Sequence, residues 1–262
     1  MKRIRFYRFI TIACFVIFAS ACASKGVTED FKQKITPTFF SDAIAKADEL
    51  FQQRDDLSKL REAVQTLART RNPDVRNYES EWKFAKYNFF LGKHSPDEKE
   101  IEKAFEDGVQ AGKIAAKMEP EKPDGHFWYG ANLGEQARRS PVTVGIKAID
   151  EIRSEMNKVI EIQPNYQAAS AYDALAQVEM KAGMLAGGKP EKAVEYLEKA
   201  LEIEKENTYI YLHLAEAYLA VGRDADAKKQ LEYILKMKPG PEYTFEHKEC
   251  VEKAKKLLET RF

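Results

Sequence analysis

The sequence predicts an all-α chain of stacked helical hairpins, and three observations predict it. From Asp42 onward apolar residues recur at spacings of three and four, as in Ala43, Ala47, Leu50, Phe51 and again in Leu57, Leu60, Val64, Leu67. Turn clusters punctuate these stretches at Asn72-Pro73-Asp74, His94–Asp97, Pro120–Gly125, Ser140-Pro141, Gln163–Asn165, Gly187–Pro190 and Pro239–Pro241. No alternating run of β-formers survives between them. The composition agrees: 32% of the residues are charged and only 13 are glycine, as solvated helices require.

Taken in order, residues 1–21 read as a secretory signal. Met1–Arg8 is basic, Phe9–Ser24 is an uncharged stretch too short for the roughly 20 residues that span a bilayer, and Ala19-Ser20-Ala21 are small. Cys22 follows directly. This arrangement resembles a bacterial lipobox, with Ala19 where leucine is preferred, and the resemblance implies cleavage before Cys22 and its lipidation. Ala23 rather than Asp after the cysteine implies sorting to the outer membrane, facing the periplasm. Residues 22–40 are polar and poorly patterned and read as a tether. Residues 41–262 form the helical domain. Removing 1–21 takes four basic and no acidic residues from a chain with 42 of each, so the remainder is mildly acidic, which argues against nucleic acid as a partner. Only Cys250 remains in the folded part, so no internal disulfide is expected there, and it reads as a small buried residue.

Within 41–262 one spacing repeats. Small or apolar residues stand at offsets 0, +4 and +7 of what would be the second helix of a hairpin: Ala227, Leu231, Ile234; Ala193, Leu197, Ala200; Ile152, Met156, Val159; Gly108, Gly112, Ala115; and, irregularly, Ala63 and Leu67. A proline follows near +12 at Pro120, Pro164 and Pro239, with Lys205 in that place once. The first helices carry aromatic-x-x-Leu-small patterns, best in Tyr211-x-x-Leu214-Ala215-x-x-Tyr218. The array resembles tetratricopeptide repeats, a helical-repeat solenoid here degenerate toward its N-terminus. In such a stack each pair buries a face on the next and the first helices line a concave surface. Ser95-Pro96-Asp97-Glu98 reads as a helix start capped by Ser95. Gly130 and Gly134, one turn apart, imply close approach of a neighbouring helix. The stretch after Pro241 reads as a capping helix.

Catalytic motifs are missing: there is no phosphate loop, no Gly-x-Ser-x-Gly and no His-Glu-x-x-His. No enzyme, cofactor or metal site is expected. His213 with Glu216, and His247 with Cys250, each offer only two ligands. The repeat register places Trp128, Ala131, Asn132, Glu135 and Arg138 on the concave side, with Phe84, Tyr87 and Phe90, with Asp173, Gln177 and Met180, and with Tyr209, His213 and Glu216. Trp128, Asn132, Glu135, Arg138, Tyr87, Phe84, Phe90, Tyr209, His213 and Glu216 are therefore the candidate binding residues. An aromatic surface with a few polar groups suits a peptide or an amphipathic ligand. Asn132, in mid-helix among apolar residues, needs a partner, either a ligand or a neighbouring helix.

Phe127-Trp-Tyr-Gly-Ala-Asn-Leu-Gly134 resembles the hallmark of the TatT family, the T component associated with some TRAP transporters. Tyr166–Tyr172, Lys192–Leu201 and Leu214–Tyr218 are similar to the same family. The resemblance implies a periplasm-facing lipoprotein, a homo-oligomer of trimeric type, that binds the transporter's solute-binding P component and holds or passes on a small organic ligand. The loop Met184–Pro190 departs from the family's aromatic-Gly-Asp pattern, so no binding residue is carried onto it. The alternative is a general tetratricopeptide scaffold lipoprotein in envelope or pilus assembly.

Overall fold

The computed structural model describes residues 38–182, 187–240 and 244–262. The leader, Cys22 and most of the tether lie outside the described residues, as do residues 184–186 of the Met184–Pro190 loop. The described residues hold eleven α-helices: α1 Phe39–Phe51, α2 Leu57–Ala68, α3 Tyr78–His94, α4 Glu98–Met118, α5 Pro123–Arg139, α6 Ile146–Ile162, α7 Ser170–Lys181, α8 Pro190–Ile203, α9 Thr208–Ala220, α10 Asp224–Ile234 and α11 Thr244–Arg261. Among them there is no strand, only an isolated antiparallel bridge between Asn72 and Val75. The helical-repeat solenoid is thus present, and it starts at Phe39.

Helices pack in sequence order, α1 on α2, α3 on α4, and so on to α9 on α10, with α11 stacked on that last pair. The offsets read from the sequence are the reason. Ala63, Leu67, Ala115, Met156, Val159, Ala193, Leu197, Ala200, Ala227, Leu231 and Ile234 are all without solvent exposure. Residues three and four apart share a helix face, so each second helix presents one closed apolar stripe to its partner. Two apolar clusters result, and α7 joins them: Ala171 and Leu175 belong to the first, Tyr172 and Ala176 to the second.

Helix starts follow local chemistry. Asp56, Asn77, Asp97 and Asn207 cap α2, α3, α4 and α9 by accepting backbone N–H bonds, and Pro123 and Pro190 open α5 and α8. The α4 cap is a correction to the expected Ser95. Ser95 instead ends α3, its N–H bonded to the Leu91 carbonyl, while Asp97 Oδ1 accepts from Lys99 N and Glu100 N. A carboxylate suits the positive end of the helix dipole better than a hydroxyl. Ser140-Pro141 does not break the chain into a loop either: Pro141–Gly145 continues as a π-helical turn into α6.

Close approach is real at Gly130, where an added Cβ would meet Met156 Cε of α6 at 2.5 Å. Gly134 faces open space, with nothing within 4 Å of such a Cβ, so it does not carry the contact expected of it.

Candidate functional site

Polar rungs about one repeat apart in sequence join inner helix α3 to α5, α7 to α9 and α9 to α11. Lys93 Nζ of α3 donates to Glu135 Oε1 of α5 at 3.2 Å. Asp173 Oδ1 of α7 lies 2.6 Å from His213 Nδ1 of α9. The Tyr209 hydroxyl of α9 donates to Glu249 Oε2 of α11 at 2.7 Å, and the Tyr209 ring stacks on His213 with centroids 5.7 Å apart. Beside it Thr208 Oγ1 sits 2.9 Å from His247 Nδ1.

The electrostatics of these rungs have separate causes. Burial alone would raise the Glu135 carboxyl, but the charges of Lys93 and Arg138 hold it below its ordinary value. Arg138 Nε reaches Glu135 Oε2 at 2.8 Å. Burial and the Glu249 carboxylate together push the Tyr209 phenol up, so it remains a donor at any physiological pH. Burial pushes the Cys250 thiol up to about 12, which makes it an inert packing group.

Of the ten candidate residues, the structure leaves six partly open and closes four. Phe90, Glu135, Tyr209, His213 and Glu216 are half-buried and Arg138 is exposed. Phe84, Tyr87, Trp128 and Asn132 are buried, at 3%, 2%, 3% and 0% exposure, and present no face to a ligand in this structure. Each has an internal reason. Phe84 lies under the Arg71 guanidinium, 4.5 Å from its ring centroid. Tyr87 stacks on Phe51 at 4.3 Å, and its hydroxyl donates to Asp48. Trp128 is hemmed in by Phe89, Phe90 and Phe127.

Asn132 settles its need for a partner internally. Its Nδ2 donates to the Ala85 carbonyl of α3 at 3.1 Å and to the Trp128 carbonyl at 2.7 Å. Its Oδ1 has no N–H or O–H donor and lies against the Cα of Gly108 in α4, where an added Cβ would collide with it. A weak Cα–H contact is what that geometry offers. The Phe127–Gly134 run therefore ties three helices together.

His126, immediately before that run, does likewise. Its Nδ1 lies 2.5 Å from Glu155 Oε2 and its Nε2 3.0 Å from the Pro120 carbonyl. The Glu155 hydrogen bond raises the imidazole above its ordinary range.

Reading by sequence also missed a contact between the two ends of the domain. Arg54, in the turn after α1, reaches Glu246 in the first turn of α11, with Nη2 3.0 Å from Oε1 and 3.4 Å from Oε2. Next to it His94 Nδ1 of α3 is 4.0 Å from Glu249 Oε1. A separation of 192 residues leaves no local signal for such a pair. Two open clefts lie elsewhere. One, of about 490 Å³, is lined by Glu102, Phe105, Gln136, Arg139 and Val144; the other, of about 370 Å³, by Tyr211, Gln230, Tyr233 and Lys236. No group of three His, Cys, Asp or Glu side chains placed to hold a metal occurs among the described residues.

Known proteins resemble the chain in the following ways. A family described as regulator of microtubule dynamics protein 1-3 matches residues 43–172, and a tetratricopeptide-repeat family matches residues 184–244. No curated protein matches the chain. The crystal structure of TTC0263, a thermophilic tetratricopeptide-repeat protein of Thermus thermophilus, superposes with a TM-score of 0.59 at 19% identity, covering 80% of this chain and 98% of that one. A crystal structure of MamA protein gives a TM-score of 0.49 at 16% identity, covering 87% of this chain and 98% of that one. By its fold and its repeats the chain is a tetratricopeptide-like helical-repeat solenoid.

Proposed function

We propose that the protein is an envelope lipoprotein, anchored through Cys22 in the outer membrane, whose repeat domain binds a periplasmic protein at the polar rungs of its inner helices. The observation that supports a protein over a small apolar ligand is the fate of the aromatics. Phe84, Tyr87 and Trp128 are consumed by packing, whereas the paired polar side chains Tyr209, His213, Asp173, Glu135 and Arg138 keep partial exposure where a polypeptide can reach them. The first partner to test is the solute-binding P component of a TRAP transporter, on the strength of the Phe127–Gly134 resemblance. A general scaffold in envelope assembly uses the same surface. Homo-oligomerisation belongs to the transporter reading.

Capture from detergent-solubilised envelope, with the tagged full-length protein as bait, separates these readings. Recovery of a periplasmic solute-binding protein, lost on His213→Ala, is the expected result. Recovery of secretion or assembly proteins through the same residue transfers the role to a scaffold, and capture indifferent to His213→Ala removes the inner rungs from the account. The match over residues 43–172 supports a second reading, a cytoskeletal polymer as partner. Co-sedimentation of the purified protein with polymerised tubulin at physiological salt tests it.

A further inference from the structure

In an open repeat stack each unit touches only its neighbours. Here the last helix reaches the first hairpin. The Arg54–Glu246 pair is a two-pronged contact whose side chains are only 13% and 11% exposed. The Arg54 guanidinium also lies over the Phe51 and Phe90 rings, 4.9 Å and 5.5 Å from their centroids. Phe90 stacks on His94, which faces Glu249. Glu249 is the same residue that accepts from Tyr209, so the closing contact is continuous with the rungs of the inner face.

We propose that the array is shut at this seam, with the Arg54–Glu246 ion pair as a latch whose release admits a polypeptide to the inner rungs. This rests on the functional reading above. The chemistry suits a latch rather than a permanent weld. Among the described residues the joint is ionic and polar apart from the rings under Arg54, whereas α11 is held to α9 and α10 by the fully buried Cys250 and Ala254. The pair is largely buried, so losing either partner weakens the joint strongly. Opening the seam returns both charges to water, whereas lifting α11 from α9 and α10 would expose a buried apolar face, so rearrangement costs least at the seam.

Opening of the seam is tested without a partner, and gating with one. Spin labels on Asp55→Cys and Lys248→Cys, positions on the two sides of the seam, report its opening by a pulsed dipolar distance measurement on the full-length protein in detergent. One short, narrow distance distribution is expected with the latch intact. Arg54→Glu is expected to give a longer, broad one, and the swap Arg54→Glu with Glu246→Arg to restore the short one. Far-ultraviolet circular dichroism unchanged across the set shows that the helices remain folded. A distribution indifferent to Arg54→Glu overturns the latch, whether or not a partner is ever captured. If Arg54→Glu opens the seam and the protein captured by the wild type binds it no better than before, within about twofold, gating is overturned while the binding face stands. A gain of tenfold or more supports the latch as a gate.

Discussion

At the scale of single residues, Asn132 and Gly108 act as one unit. The glycine lets the amide sit against the α4 backbone, and the amide then satisfies the Ala85 carbonyl across the helix contact. Gly108→Ala should therefore destabilise the protein by about 1–3 kcal/mol through overpacking, although alanine is intrinsically the better helix former. Gly134→Ala, where a Cβ meets nothing, should stabilise it by up to about 1 kcal/mol. Urea midpoints of the two variants decide this, and equal shifts in the same direction would refute the distinction. The need of Asn132 for a partner was legible in the sequence, since a polar residue sat among apolar neighbours. Which partner it took was not legible, because Ala85 lies 47 residues away on another helix.

At the scale of elements, the segment before α7 shows what a helical pattern conceals. Gln167, Ala168 and Ala169 all have positive φ, at 46°, 51° and 59°. Non-glycine residues there cost roughly 1–2 kcal/mol each. Side chains from elsewhere hold the turn. Asn207 Nδ2 donates to the Ala168 carbonyl and to Ser170 Oγ, both at 3.2 Å, and the Tyr166 hydroxyl donates to Asp124 at 2.7 Å. Asn207 also caps α9 through Tyr209 N. Asn207→Ala should consequently cost about 2 kcal/mol, the top of the range for a lost cap. Asn77→Ala, which loses one cap bond to Ser80 N, should cost about 1 kcal/mol. Thermal midpoints of the two compared side by side check the ordering. The apolar offsets and the proline stops were readable because they are local. Ser95 misled because two capping residues two positions apart, Ser95 and Asp97, compete, and the choice between them is made by a carboxylate in the dipole of α4.

At the scale of the whole repeat domain, a stack of hairpins legible from periodicity brings its last helix back to the first hairpin at Arg54 and Glu246. Curvature in a repeat array accumulates from small rotations between neighbours, and no single residue encodes it. For the same reason the sequence register put Phe84, Tyr87 and Trp128 on the concave side as binding residues, whereas neighbouring helices close over them and bury them. The remaining polar rungs carry the functional reading, and the measurement that tests it most directly is the affinity of the captured periplasmic protein for two surface variants. His213→Ala, which breaks the inner rung to Asp173, should weaken binding about tenfold, or about 1.4 kcal/mol. Ile203→Glu, at an exposed position at the end of α8, should leave it unchanged. Loss of binding with Ile203→Glu and full binding with His213→Ala would contradict the account.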